Sequence, residues 1–158
     1  MDHETLRRKV WGEMLEASMR ANYFGEFVVR YQRFEKLMRI FVFVASSGSA
    51  AAALTHAPTW ISVAFPLIAV VASGWLVFSQ YSVLARDSAD LHSGWLAQER
   101  DYERLWNHID EHGAEATYDE IYGRGEGLSK TGTRFPKDDK RLAYWLDHAS
   151  ERAMARYA

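Results

Sequence analysis

The chain has 158 residues, 19 Lys+Arg against 21 Asp+Glu, a formal net charge of -2 and no Cys. That length predicts one ordinary domain, and the near balance of charge excludes a nucleic-acid-coating protein, which needs a basic excess. The lack of Cys excludes a disulfide framework, a thiolate zinc site and a Cys nucleophile.

The first predicted element, residues 1–39, is a cytoplasmic helix. From Thr5 to Arg39 there is no Pro, and only Gly12 and Gly25 interrupt. Apolar residues recur at Leu6, Val10, Trp11 and Met14, then at Phe24, Phe27, Tyr31, Phe34, Met38 and Phe41. This three-and-four spacing marks one stripe of a helix that continues into the next segment. A helix lying flat on lipid is the alternative for Thr5–Tyr23.

From Ile40 to Ala85 there is no Asp, Glu, Lys or Arg. The block divides around Pro58-Thr59 into two apolar runs, 40–57 and 60–85. At about 1.5 Å per residue they span roughly 27 and 39 Å, against a hydrocarbon core of about 30 Å. So short a link forces the two helices to lie antiparallel. A soluble helix keeps a charged outer face and neither run has one, so a transmembrane hairpin is favoured over a buried soluble hairpin. Arg30, Arg33, Lys36 and Arg39 precede the first run, Arg86 follows the second, and the link carries no basic residue. The positive-inside tendency then predicts a multi-pass protein of the bacterial inner membrane with both termini in the cytoplasm. Trp60 and Tyr81 stand near the ends of the second run, where amphipathic rings favour the interface.

The first run is rich in small residues. Ser46, Gly48, Ser49, Ala52 and Ala53, with Ser73 on the second run, are the candidate helix-packing or pore-lining positions. Small side chains let helices approach closely in lipid. A path lined by hydroxyls, without a ring of charge, would be non-selective.

Residues 86–112 read as a cytoplasmic helical extension. Leu91, Trp95, Gln98, Tyr102, Leu105 and Ile109 form its stripe, Trp106 lies beside it, and Gly113 is the stop signal. Paired with the first helix it would form a two-helix stalk. Such a stalk leaves Phe27, Tyr31, Phe34, Trp95, Tyr102 and Trp106 poorly covered, which predicts homo-oligomerisation. Residues 113–135, with Gly123, Gly125, Gly127 and Gly132 among aromatic and basic residues, read as a Gly-rich loop. Arg124, Lys130 and Arg134 make it a candidate sensor for a cytoplasmic protein or signal partner. Pro136 then opens a C-terminal amphipathic helix over 136–158, with Asp138 and Asp139 in its first turn.

The motifs that could carry chemistry fail on inspection. Gly127-Leu128-Ser129-Lys130-Thr131 lacks the Gly directly before the Lys-Thr pair and the upstream strand of a phosphate loop. His108 and His112 are spaced like zinc ligands on a helix, but Ile109 stands where the protease motif needs Glu. Arg86…His92 and Arg141…His148 match the spacing of HEPN ribonucleases, yet 14 Arg and 6 His produce about that many matches by chance. No enzyme activity, cofactor, metal or nucleic-acid partner is implied, and the bilayer is the expected partner.

The expected fold class is therefore all-α: an integral membrane helical hairpin of two transmembrane helices with long cytoplasmic extensions and a C-terminal helix. The segment Arg20-Ala21-Asn22-Tyr23-Phe24-Gly25, the hairpin with its tiny outer loop and the helical tail resemble SLATT domains. The resemblance covers about Thr5–Glu111. It implies a small effector that oligomerises and perturbs or permeabilises the inner membrane, as in bacterial anti-phage defence, and it transfers no catalytic residue. Two alternatives stay open: a membrane-anchored scaffold or binding module, and a membrane-tethered divergent ribonuclease.

Overall fold

The computed structural model describes the backbone of residues 2–54 and 58–157, with all their side chains except those of 49–54, 59 and 62. The described residues form five helices and no strand: α1 (His3–Leu54), α2 (Thr59–Phe78), α3 (Tyr81–Asn107), α4 (Ala114–Gly132) and α5 (Asp139–Tyr157). The chain is thus all-α. It divides into two compact units, one of Met1–Glu26 with Asp87–Ala158, the other of Phe27–Arg86.

The first unit has an ordinary core. On α1 the buried residues include Leu6, Val10, Met14, Ala17, Ala21 and Phe24, spaced by three and four. On α3 the expected stripe is buried from Leu91 through Trp95, Gln98, Tyr102 and Leu105, and Ile109 extends it just beyond the helix. Ala114, Tyr118, Ile121 and Gly125 supply the α4 face, and Ala149 and Ala153 that of α5. Each element presents a narrow apolar seam and a charged outer face, as a helix in water must. The stripes of α1 and α3, expected to pair as a stalk, thus share one core with α4 and α5.

Polar contacts fix the ends of these helices. Gly113 is left-handed, with φ 98°, and separates the turn after α3 from α4. The α5 helix begins three residues after Pro136, with Asp138 as its cap: its Oδ1 accepts from the backbone N–H groups of Lys140 and Arg141, both at 3.2 Å. The Tyr23 hydroxyl donates to the Pro136 carbonyl at 2.6 Å and accepts from the Asp138 N–H at 3.1 Å, which ties this start to α1. Glu26 adds an ion pair to Arg141 and accepts from the Trp145 indole N–H at 3.4 Å.

Two sequence expectations need correction. Residues 113–135 are not a Gly-rich loop, because most of them form helix α4. Glycine is a poor helix former, but tertiary contact overrides that preference here. A Cβ on Gly125 would collide with the buried Gln98 amide, and one on Gly94 of α3 would lie 2.7 Å from Leu128 Cδ2. Bare backbone at Gly125 and Gly94 is what lets α3 and α4 approach. The second apolar run is also not one unbroken helix over 60–85. It breaks at Ser79-Gln80, where Gln80 takes a positive φ of 48°. The Gln80 carbonyl then accepts from Val83 and Leu84 N–H at 2.9 and 3.0 Å and starts α3.

Gly123 and Gly127 have open space where a Cβ would go. Gly123→Ala and Gly127→Ala should each stabilise the fold by about 0.5–1 kcal/mol, while Gly125→Ala should cost about 1–3 kcal/mol. Thermal unfolding followed by far-UV circular dichroism separates the signs. Equal, negligible effects at all three sites would mean that 114–132 is not a packed helix.

Candidate functional site

Two features stand out, one in each unit. In the unit Phe27–Arg86 the usual distribution of side chains is inverted. Its buried apolar positions include Ala45, Ala69 and Ala72, whereas Leu37, Phe43, Val63, Leu67, Val70, Val71, Val77 and Phe78 are exposed. Val77 is 79% and Phe78 90% exposed, against 4% for Ala45 and 7% for Ala72. Gly48 receives the Phe65 ring, whose Cδ1 would lie 3.1 Å from a Cβ there. Among the described residues one helical stretch, within Val63–Asn107, is long and apolar enough to cross a membrane. Its apolar part is α2, whose 20 residues span about 30 Å.

The expected packing or pore-lining residues separate here. The Ser46 hydroxyl donates to the Val42 and Phe43 carbonyls at 2.9 and 3.0 Å, and Ser73 donates to Ala69 at 2.7 Å. Both hydroxyls are turned back onto their own helix. Gly48 is a packing position. Ser49, Ala52 and Ala53 lie outside the described side chains.

Of the aromatic residues expected to join subunits, Phe27, Trp95 and Tyr102 are buried within one chain, Tyr31 and Trp106 are half-buried, and Phe34 is 40% exposed. In the apolar unit Phe27 stacks on Tyr31, with centroids 5.7 Å apart, and Phe34 meets Tyr81 at 4.6 Å. In the other unit Trp95 and Tyr102 are buried, and Trp106 packs between Trp11 and Tyr157 at 5.2 and 6.3 Å. In the unit that contains α4 and α5, Trp95 and Tyr102 are buried within the one chain.

The second feature is a cavity of about 400 Å³ in the first unit, formed by α1, α3 and α4. Its wall includes Glu13, Glu16 and Arg20 of α1, Trp95 and Gln98 of α3, and Tyr122, Glu126, Ser129 and Lys130 of α4. Arg20 pairs with Glu16, donates to the Ser129 hydroxyl and lies 4.6 Å over the Trp95 ring. Gln98 donates through Nε2 to the Ile121 carbonyl at 3.2 Å. Its Oε1, the Trp95 indole N–H and the Tyr102 hydroxyl are buried without a hydrogen-bond partner among the described residues. Burial, with Glu16 adding repulsion and Arg20 opposing it, raises the Glu13 carboxyl above its ordinary range. Burial first, then Glu13 and neighbouring groups, push the Tyr118 hydroxyl up to about 12.

The sequence did not point to this cavity. Gln98 was read as one member of an apolar stripe, and the amide interrupting that stripe was the available signal. The expected sensor residues lie on α4 or just after it. Lys130 lines the cavity, Arg124 pairs with Asp101 at 2.9 Å, and Arg134 is exposed.

The remaining motifs have structural partners. His92 Nδ1 lies 2.6 Å from the Ala21 carbonyl, in space left open by Gly25. Arg141 is held by Glu26 and Asp138, and His148 lies 3.3 Å from the Tyr144 hydroxyl. His108 contacts Glu111 at 2.8 Å, in the turn after α3. Among the described residues no group of three or more His, Asp or Glu is placed to hold a metal ion. The chain matches no protein-family profile, no curated protein and no solved structure.

Because the Glu13 carboxyl is raised above 4.5, the folded state holds its proton more tightly than the unfolded chain. Stability therefore falls as pH rises from 4.5 through the raised value. Glu13→Gln should stabilise the fold at pH 7, and the gain should vanish on acidification below 4.5. Melting temperatures of both proteins across this window test it: a variant less stable at pH 7 would contradict the assignment.

Proposed function

We propose that the chain is a two-span membrane protein in which Phe27–Arg86 anchors a helical binding module at the cytoplasmic face. The inverted packing of the apolar unit carries this reading. In water, Phe78 or Leu67 at the surface with alanine inside would forfeit the hydrophobic gain that folds a domain, about 1.5–3 kcal/mol per large side chain. In lipid, large side chains cost nothing outside, and small ones at the contact let the helices pack closely. The first span would run from the charge-free part of α1 at Ile40, and the second through α2. Two crossings return the chain to its starting side, so Met1–Glu26 and Asp87–Ala158 can form one unit. The basic residues from Arg30 to Arg39 and Arg86 favour the cytoplasm for that side.

A second reading makes the hairpin an effector that oligomerises and permeabilises the bacterial inner membrane in anti-phage defence. It is supported by the run of small residues from Ser46 to Ala53, which suits close packing between copies as well as within one. The inward-bonded hydroxyls of Ser46 and Ser73 favour the anchor.

The protein should remain with the membrane pellet after alkaline carbonate washing. Val70→Arg, placing a charge at mid-span, should cost about 2.5–3.5 kcal/mol of insertion and shift protein into the supernatant. Release of the unaltered protein by the wash would end the membrane reading. Dye-loaded vesicles divide the two functions. An anchor leaves dye inside and tolerates Ser46→Leu with Ser73→Leu, whereas an effector releases dye and loses that activity in the double variant.

A further inference from the structure

Charge is distributed unevenly along the chain. The unit Phe27–Arg86 holds five of the 19 Lys+Arg but one of the 21 Asp+Glu, Glu35. Arg39, the cation next to the charge-free part of α1, pairs with Glu35. Arg33 and Lys36 are exposed and, among the described residues, form no ion pair. Spacings of three, four and three put Arg33, Lys36, Ile40 and Phe43 on one face of α1. Ile40 and Phe43 are 50% and 71% exposed. One open face therefore passes from unpaired cations to large apolar side chains. Along the helix Arg33 and Lys36 stand about 10 and 6 Å before Ile40. The headgroup layer on each side of a bilayer is about 5–8 Å deep. Lys36 lies within that layer, and the long side chain of Arg33 reaches it. Phe34, next to Arg33, meets Tyr81 at 4.6 Å, and the amphipathic Tyr81 ring favours the same depth.

We propose that this face of α1 binds an anionic phospholipid of the cytoplasmic leaflet. Arg33 and Lys36 hold the headgroup phosphate, and an acyl chain lies along Ile40 and Phe43. This inference rests on the membrane reading and adds a lipid preference to it. The order of groups on the face selects the partner: an anionic lipid carries charge and then hydrocarbon, as the face does. A soluble acidic partner would meet the cations and could not follow the face into the bilayer. Arg39 is already neutralised by Glu35 at the hydrocarbon edge, which leaves the two cations above it for the phosphate.

The test is native mass spectrometry of the full chain released from nanodiscs of phosphatidylglycerol and phosphatidylcholine in equal parts. Each Lys or Arg beside an anionic lipid contributes about fivefold in affinity, so the chain should retain phosphatidylglycerol over phosphatidylcholine by at least about tenfold. Arg33→Gln and Lys36→Gln should each lower this preference about fivefold, and the double variant should retain both lipids alike. Arg86→Gln should not change it. Arg86 is exposed and serves the orientation of the hairpin equally, but it stands five residues beyond Tyr81. Circular dichroism confirms that the variants are folded. Equal retention of the two lipids by the unaltered chain would overturn the proposal. So would a preference that survives in the double variant, or that falls as far in Arg86→Gln as in Lys36→Gln. Millimolar inorganic phosphate should leave the preference intact, and its loss would assign the two cations to a soluble anion instead. A chain that does not enter the nanodiscs at all would end the membrane reading and this inference together, whereas equal retention ends the inference alone.

Discussion

A stretch of 46 residues without a formal charge, Ile40–Ala85, constrains everything else in this protein. Helices satisfy their own backbone groups, so the stretch can be helical in water or in lipid. The two solvents demand opposite arrangements of side chains. Water requires Leu67, Val70 and Phe78 inside, and lipid tolerates them outside if small residues make the contact. The structure has the second arrangement, with Ala45, Ala69 and Ala72 buried. The proposal of a membrane hairpin is therefore a statement about packing order and does not depend on hydrophobic content alone.

The other unit obeys the rules of a soluble bundle and supplements them with polar ties. Tyr23 and Glu26 hold the start of α5, and Asp138 caps it. Glycines at 94 and 125 bring α3 and α4 close enough for Gln98 to bond to the Ile121 carbonyl. The same closeness isolates the outer oxygen of Gln98 and the indole N–H of Trp95. Native cores rarely leave such groups unpaired, and here they lie sealed within the bundle. Close packing of α3 on α4 thus builds the core and seals these polar atoms from solvent.

Much of this was legible from residue periodicity. The stripe expected on α3 is buried at Leu91, Trp95, Gln98, Tyr102, Leu105 and Ile109, and that on α1 at Leu6, Val10, Met14, Phe24 and Phe27, while Phe34 and Phe41 are exposed. The segment 114–132 was not legible, because glycine marks both loops and close helix contacts, and only the partner helix distinguishes them. The break at Gln80 was hidden for a related reason: neither Gly nor Pro marks it, and its signal is a polar Ser-Gln pair inside an apolar run. The cavity was missed because Glu13, Gln98 and Lys130 lie on three helices, and their convergence is a property of the bundle. Of the expected oligomer stalk, Trp95 and Tyr102 are buried in the bundle that α4 and α5 complete, whereas Phe34 is exposed.

The unit boundaries fall within helices, at 26/27 in α1 and 86/87 in α3. A helix end leaves four N–H or four C=O groups without intrahelical partners, and these are costly where water cannot reach. In the proposed bilayer, α1 avoids an end by continuing unbroken from the soluble core into its charge-free part. The return path does break, and the break carries its own repair. The Ser79 N–H donates to the Trp75 carbonyl at 2.9 Å, its hydroxyl donates to Leu76 at 3.3 Å, and the Gln80 carbonyl takes up the first donors of α3. The pair is polar, and Tyr81 beside it carries an amphipathic ring of the kind that favours the membrane–water interface. The chain thus changes helix where lipid would give way to water, the one depth at which an interrupted backbone is inexpensive. An interruption at Gly74, among the exposed valines of α2, would have left the same groups in hydrocarbon.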